Sequence, residues 1–172
     1  MLAWGKSVSK PFRDRVLEIG VNLAIDPSYL MACIAFESAR TFSASIVNAA
    51  GSGAVGLIQF MPPTAQALGT TTKKLSTMSA VAQLDYVEKY FAPQKNKLKT
   101  LPDVYMAILW PAAVGKPGSF VLFDRSDQAN PKRYVQNAGL DYNKDGLITK
   151  DEASRRVAEV LQIGLQPDNA SN

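Results

Sequence analysis

At 172 residues, 47% of them hydrophobic, the chain is long enough for one core and too short for two independent catalytic domains. It has no histidine and one cysteine, Cys33, which excludes a disulfide framework, a Cys/His zinc site and every catalytic triad that needs imidazole. The net charge of +4 comes from residues 1–100, which hold 11 Lys/Arg against 6 Asp/Glu, whereas residues 101–172 hold 8 against 9; the basic part suits a polyanionic partner, and equally an ordinary solvated surface.

In chain order, Met1-Leu2-Ala3-Trp4-Gly5-Lys6 lacks a basic segment followed by a long apolar run, so no signal peptide and no transmembrane segment is expected. After Pro11, the helical spacing of Phe12, Val16, Ile19 and Leu23 predicts a first amphipathic helix. Asp26-Pro27 supplies an N-cap and a first-turn proline for a second helix running to about Ala39. Its body, Tyr29 to Phe36, is apolar on every side, which predicts burial. Ala49 to Gly56 reads as a tight loop leading into Leu57-Ile58-Gln59-Phe60, and Pro62-Pro63 opens a short helix through Leu68 that Gly69 stops. Val81, Leu84, Val87 and Phe91 mark a further helix, and Val104, Tyr105, Ile108 and Leu109 another, broken at Pro111. Ala153, Val157, Val160 and Leu161 share one face of a last helix from about Lys150, and the tail Gln166–Asn172 has a disordered composition. The fold class that follows is mainly α, with irregular connections rather than strands in the middle and no internal repeat.

One carboxylate stands out. Leu30, Cys33, Ile34 and Glu37 lie three or four positions apart and share a face of the buried second helix, so an acid occupies a place where a hydrophobe is expected. Burial and the carbonyl-rich end of the helix both disfavour its charge, and a carboxyl kept protonated near neutral pH can donate to a glycosidic oxygen. The competing reading is an ordinary ion pair with Arg40, three residues on. A two-carboxylate glycosidase needs a second acid, yet no Asp or Glu occurs between Ser38 and Leu84; Asp85, Glu88 and Asp103 remain as distant candidates. The sequence therefore leans toward chemistry that one carboxyl group completes.

Glu37-Ser38, followed by Gly53-Ala54-Val55-Gly56-Leu57-Ile58-Gln59-Phe60-Met61-Pro62-Pro63-Thr64-Ala65, resembles the first two motifs of the lytic transglycosylase and goose-type lysozyme superfamily. The resemblance covers roughly residues 25–137 and is strongest in its first half. It implies a lysozyme-like fold with little or no β structure, Glu37 as the sole acid/base, and Ser38, Gly56, Leu57, Gln59, Phe60 and Met61 as groove positions. Gln59 would offer donor and acceptor to an N-acetyl group, and Phe60 and Met61 apolar surface or plain core packing. Leu109-Trp110-Pro111-Ala112-Ala113 resembles an altered third motif, of the kind seen in phage-encoded members, with Trp110 at the usual tyrosine and Tyr105 about one turn earlier as a substitute. Arg133-Tyr134-Val135 resembles the fourth, which implies that Tyr134 approaches Glu37. Peptidoglycan glycan strands are the implied substrate, cut between N-acetylmuramic acid and N-acetylglucosamine with closure of a 1,6-anhydro ring. The implied site of action is the bacterial cell wall, reached from a virion or from the host cytoplasm.

Near the carboxyl end, Asp141, Asn143, Asp145, Thr149 and Glu152 fill positions one, three, five, nine and twelve of an EF-hand-like loop, 141–152. Gly146 takes the sixth position, Leu147 would bind through its carbonyl, and Ile148 is the apolar eighth residue, so bound Ca2+ is expected. The plainer alternative is an acidic turn with a capping box between Thr149 and Glu152. The whole reading is one lysozyme-like catalytic domain over residues 1–172, expected as a monomer. A hydrolytic muramidase on the same fold, and a catalytically silent calcium-binding wall or virion protein, stay open. Nucleic acid is not an expected partner, since no stacking aromatics interleave with the basic residues.

Overall fold

Side-chain caps set where most of the helices begin. In the computed structural model, which describes residues 1–49 and 51–172, α1 (Lys10–Leu23) starts where the Ser9 hydroxyl accepts the Phe12 amide at 3.4 Å. Ala50, inside the expected loop, lies outside the described residues. Asp26 accepts the Ser28 amide at 2.8 Å and Pro27 takes the first position of α2 (Pro27–Glu37). There follow α3 (Pro62–Ala67), α4 (Thr72–Thr77), α5 (Ala80–Phe91), α6 (Leu101–Leu109), α7 (Pro131–Asn137) and α8 (Lys150–Gly164), of which α4, α5, α6 and α8 are capped by Thr71, Ser79, Thr100 and Thr149. The mainly helical, lysozyme-like class is borne out.

The all-round apolar body of α2 is the axis of the core. Residues 30–35 are 0% exposed, and α1, α6 and α8 pack around them. Burying one such leucine contributes about 1.5–3 kcal/mol, so the position of α2 is strongly determined. One cluster of buried residues runs from Leu2 to Leu161. No single helix among the described residues is long and apolar enough to cross a membrane.

Strand content is small but real. β1 (Val121–Asp124) pairs antiparallel with β2 (Leu147–Thr149), with Phe123 opposite Ile148 and an irregularity between Val121 and Phe123. Isolated bridges Val47–Val55 and Val55–Phe60 tie the segment after α2. Two expectations need correction. The second helix stops at Glu37 rather than near Ala39, because Ala39 and Arg40 turn left-handed at φ 50° and 64°. The tail is ordered: the Leu2 amide donates to the Ser171 carbonyl at 2.7 Å, the Ser171 amide returns to Leu2 at 3.1 Å, and Ala170 is buried. Backbone groups carry most of that docking, and the Asn169 side chain adds a bond to the Ile163 carbonyl at 2.9 Å.

Candidate active site

Glu37 ends α2 in a turn that determines its direction. The Arg40 amide reaches back to the Ala35 carbonyl at 2.7 Å and the Ala39 amide to Phe36 at 3.3 Å, the two bonds of a Schellman closure made without glycine. Ser38 holds the next step: its hydroxyl accepts the Phe42 amide at 3.1 Å, and its carbonyl accepts the Thr41 hydroxyl at 2.7 Å. Ala39, Arg40, Phe42 and Gln59 make up four of the eight non-glycine residues with positive φ among the described residues. Each costs on the order of 1 kcal/mol or more, so local backbone strain is concentrated in the turn after Glu37 and at Gln59.

The Glu37 side chain is half-buried, and burial pushes its pKa from 4.5 to about 7. Among the described residues no Lys or Arg lies within ion-pair distance of it. Arg40, the competing partner, has its guanidinium over the Trp4 ring at 5.4 Å instead. The distant acids are engaged elsewhere. Asp85 and Glu88 both pair with Arg15, and Asp103 accepts Lys150 at 2.5 Å and the Gly115 amide at 2.8 Å. Burial opposes ionisation of Asp103, but bonds from Lys150, Gly115 and Thr100 outweigh it and hold the carboxyl below its usual range.

Two tyrosines lie within the electrostatic reach of Glu37. Burial first, and its charge second, raise the phenols of Tyr90 and Tyr105 and keep them protonated donors. Tyr105 meets Phe36 edge-on at 5.5 Å, and the Tyr90 hydroxyl donates to the Ala107 carbonyl at 2.6 Å, joining α5 to α6. Phe60 packs edge-on against Tyr90 at 6.2 Å, so the loop after α2 is connected to the surroundings of Glu37 through this ring. Cys33, wholly buried beside it, has its thiol pushed up by burial and is inert.

The expected groove positions divide by exposure. Ser38, Gly56, Leu57 and Phe60 are buried and form the support; Gln59 and Trp110 are half-buried, and Met61 is 43% exposed. Gln59 sits in a turn where its amide nitrogen donates to the carbonyls of Gly56 at 3.1 Å and Ile46 at 3.4 Å, leaving the amide oxygen outside that network. Trp110 meets Phe123 at 5.3 Å with Arg133 over its ring. The Tyr134 hydroxyl donates to Asp141 at 2.6 Å. An open cleft of about 410 Å³ lies beside Phe36, Arg40, Arg156 and Glu159, and Glu37 is not among the residues that line it.

Sequence reasoning missed Tyr90 and Gln83. Gln83 is wholly buried, accepts the Leu57 amide at 2.7 Å and donates to Ala44 at 3.1 Å and Leu75 at 2.9 Å, clamping the loop to α4 and α5. A β-carbon on Gly56, at φ 84°, would stand 2.3 Å from the Gln83 oxygen, so the loop requires glycine there. The one available signal was a neutral polar residue beside Leu84 on an otherwise apolar helix face. At the loop 141–152, Asp145 and Asn143 bond within the loop, and Glu152 closes a capping box with Thr149.

The family model for the transglycosylase SLT domain matches residues 16–100. That span contains Glu37, the loop through Met61, Gln83 and Tyr90, and ends before Tyr105, Trp110, Tyr134 and the acidic loop. A search among curated proteins gives no match.

Proposed function

We propose that this chain, whose residues 16–100 match the model of the transglycosylase SLT domain family of peptidoglycan lytic transglycosylases, cleaves the β-1,4 bond between N-acetylmuramic acid and N-acetylglucosamine with Glu37 as its only acid/base. The observation that carries this reading is Glu37 itself: half-buried, raised to about 7, and without an ion-pair partner among the described residues, while Asp85, Glu88 and Asp103 are committed to Arg15 and Lys150. A group with that pKa holds a proton to give at neutral pH and takes one back readily.

Glu37 gives its proton to the glycosidic oxygen as the bond to the muramoyl anomeric carbon breaks through an oxocarbenium-like transition state. The carboxylate so formed removes the proton of the muramoyl 6-hydroxyl, whose oxygen attacks the anomeric carbon and closes the 1,6-anhydro ring. The proton on Glu37 is restored, and no water is consumed. The neighbouring N-acetyl oxygen supplies the stabilisation that a second carboxylate gives in other glycosidases. Gln59, Met61 and Trp110 retain surface to offer the glycan, while Ser38, Leu57 and Phe60 act from beneath. The altered motif Leu109–Ala113 supports a phage-encoded enzyme acting on the host wall.

Glu37→Gln removes the proton and keeps the shape. Clearing of purified peptidoglycan should fall by about 10²–10⁴-fold with the far-ultraviolet circular dichroism unchanged. Clearing at the wild-type rate would take Glu37 out of the mechanism.

A further inference from the structure

Outside the matched span, the loop 141–152 contains two carboxylate oxygens that the protein leaves unsatisfied. Asp141 is 8% exposed; its Oδ2 accepts the Tyr134 hydroxyl at 2.6 Å and the Gly146 amide at 3.0 Å, while its Oδ1 is buried without a hydrogen-bond partner. Glu152 repeats the pattern: Oε2 accepts the amide and hydroxyl of Thr149 at 2.9 and 2.8 Å, and Oε1 is buried and partnerless. A capping box accounts for Oε2 and for neither orphan. Leaving a buried charged oxygen unpartnered is unfavourable, and a cation bound in the loop would supply the missing partner.

The two orphans occupy the first and twelfth positions of a calcium loop, and the backbone between them has the bend such a loop needs, with Gly146 at φ 90° and Lys144 at φ 59°. Asn143, Asp145 and Thr149 and the Leu147 carbonyl provide oxygen at the remaining positions. Among the described residues no three acidic, histidine or cysteine side chains converge, so the mixed oxygen set must close by rotation of the exposed Asp145 and of Glu152. Ile148, wholly buried at the eighth position, pairs with Phe123, so β1 braces the loop from the side.

We propose that Asp141, Asn143, Asp145, the Leu147 carbonyl, Thr149 and Glu152 bind one Ca2+, which locks α7 through Tyr134 and β1 through Ile148 to the start of α8. The ion's role is to hold these elements together, and the hard, flexible oxygen set favours Ca2+ over the smaller Mg2+.

The test is calorimetric and thermal, on the full chain stripped with a chelator. Titration with CaCl2 should give one site per chain, and a hundredfold excess over Kd should raise Tm by about 5–10 °C. Asp145→Ala, at an exposed position, and Glu152→Gln should each lose the binding heat and the shift while keeping the helical spectrum. No heat and equal Tm in chelator and in calcium would overturn the site, as would unaltered binding in both variants or an equal shift with MgCl2.

Discussion

Glu37 is held at the end of α2 by backbone bonds, not by a charge, and this has a measurable consequence. Its pKa rises from 4.5 to about 7 on folding, so between those values the native state binds more protons than the unfolded chain. Stability from this group is fully present below pH 4.5 and is lost as pH rises toward and through 7. Because the side chain is half-buried, the loss is on the order of 2–3 kcal/mol by pH 8. Glu37→Gln should abolish it: urea unfolding at pH 8 should find the variant more stable than wild type by roughly that amount, with the two converging near pH 4. An identical pH dependence in both would mean that the carboxyl is solvated and unperturbed.

At the level of elements, the loop after α2 depends on the contact between Gly56 and Gln83. Gly56→Ala places a methyl against the Gln83 oxygen at positive φ and should cost at least about 2 kcal/mol, a fall in Tm of about 4–8 °C. Gln83→Ala strips partners from Leu57, Ala44 and Leu75 and should cost on the order of 3 kcal/mol. In the double variant the two losses should add to less than their sum, which a double-mutant cycle by thermal unfolding reads directly; full additivity would deny the contact. The same elements mark what a sequence can and cannot announce. α1, α5, α6 and α8 declare themselves through apolar stripes, and α2 through an apolar run after Asp26-Pro27. α4 carries one apolar core residue, Leu75, and shows no period. The partners of Gln83, Asp85, Glu88 and Asp103 are set by the tertiary fold, Lys150 lying 47 residues from Asp103, and no local pattern encodes such a pairing. Tyr90 was hidden by the stripe ending in Phe91 beside it.

At the scale of the whole molecule, the two ends close on each other. Leu2 pairs with Ser171, the Lys6 amide donates to the Asn169 carbonyl at 2.9 Å, and the Trp4 indole donates to the Val160 carbonyl of α8 at 3.0 Å. Removing residues 166–172 should lower Tm by about 5 °C through the loss of these backbone bonds and of Ala170 from its buried place, without moving the helices around Glu37; an unchanged Tm would show the docking to be energetically idle. α8 packs against α2, the helix that carries Glu37, so the segment outside residues 16–100 supports the matched one. Whether a single carboxyl completes the reaction is decided by its products. Mass spectrometry of purified peptidoglycan digested with the wild-type chain should find muropeptides ending in 1,6-anhydro-N-acetylmuramic acid, with no oxygen taken from labelled water. Reducing ends carrying that label would contradict the account and assign the chain to hydrolysis, with water in place of the 6-hydroxyl as the attacking group.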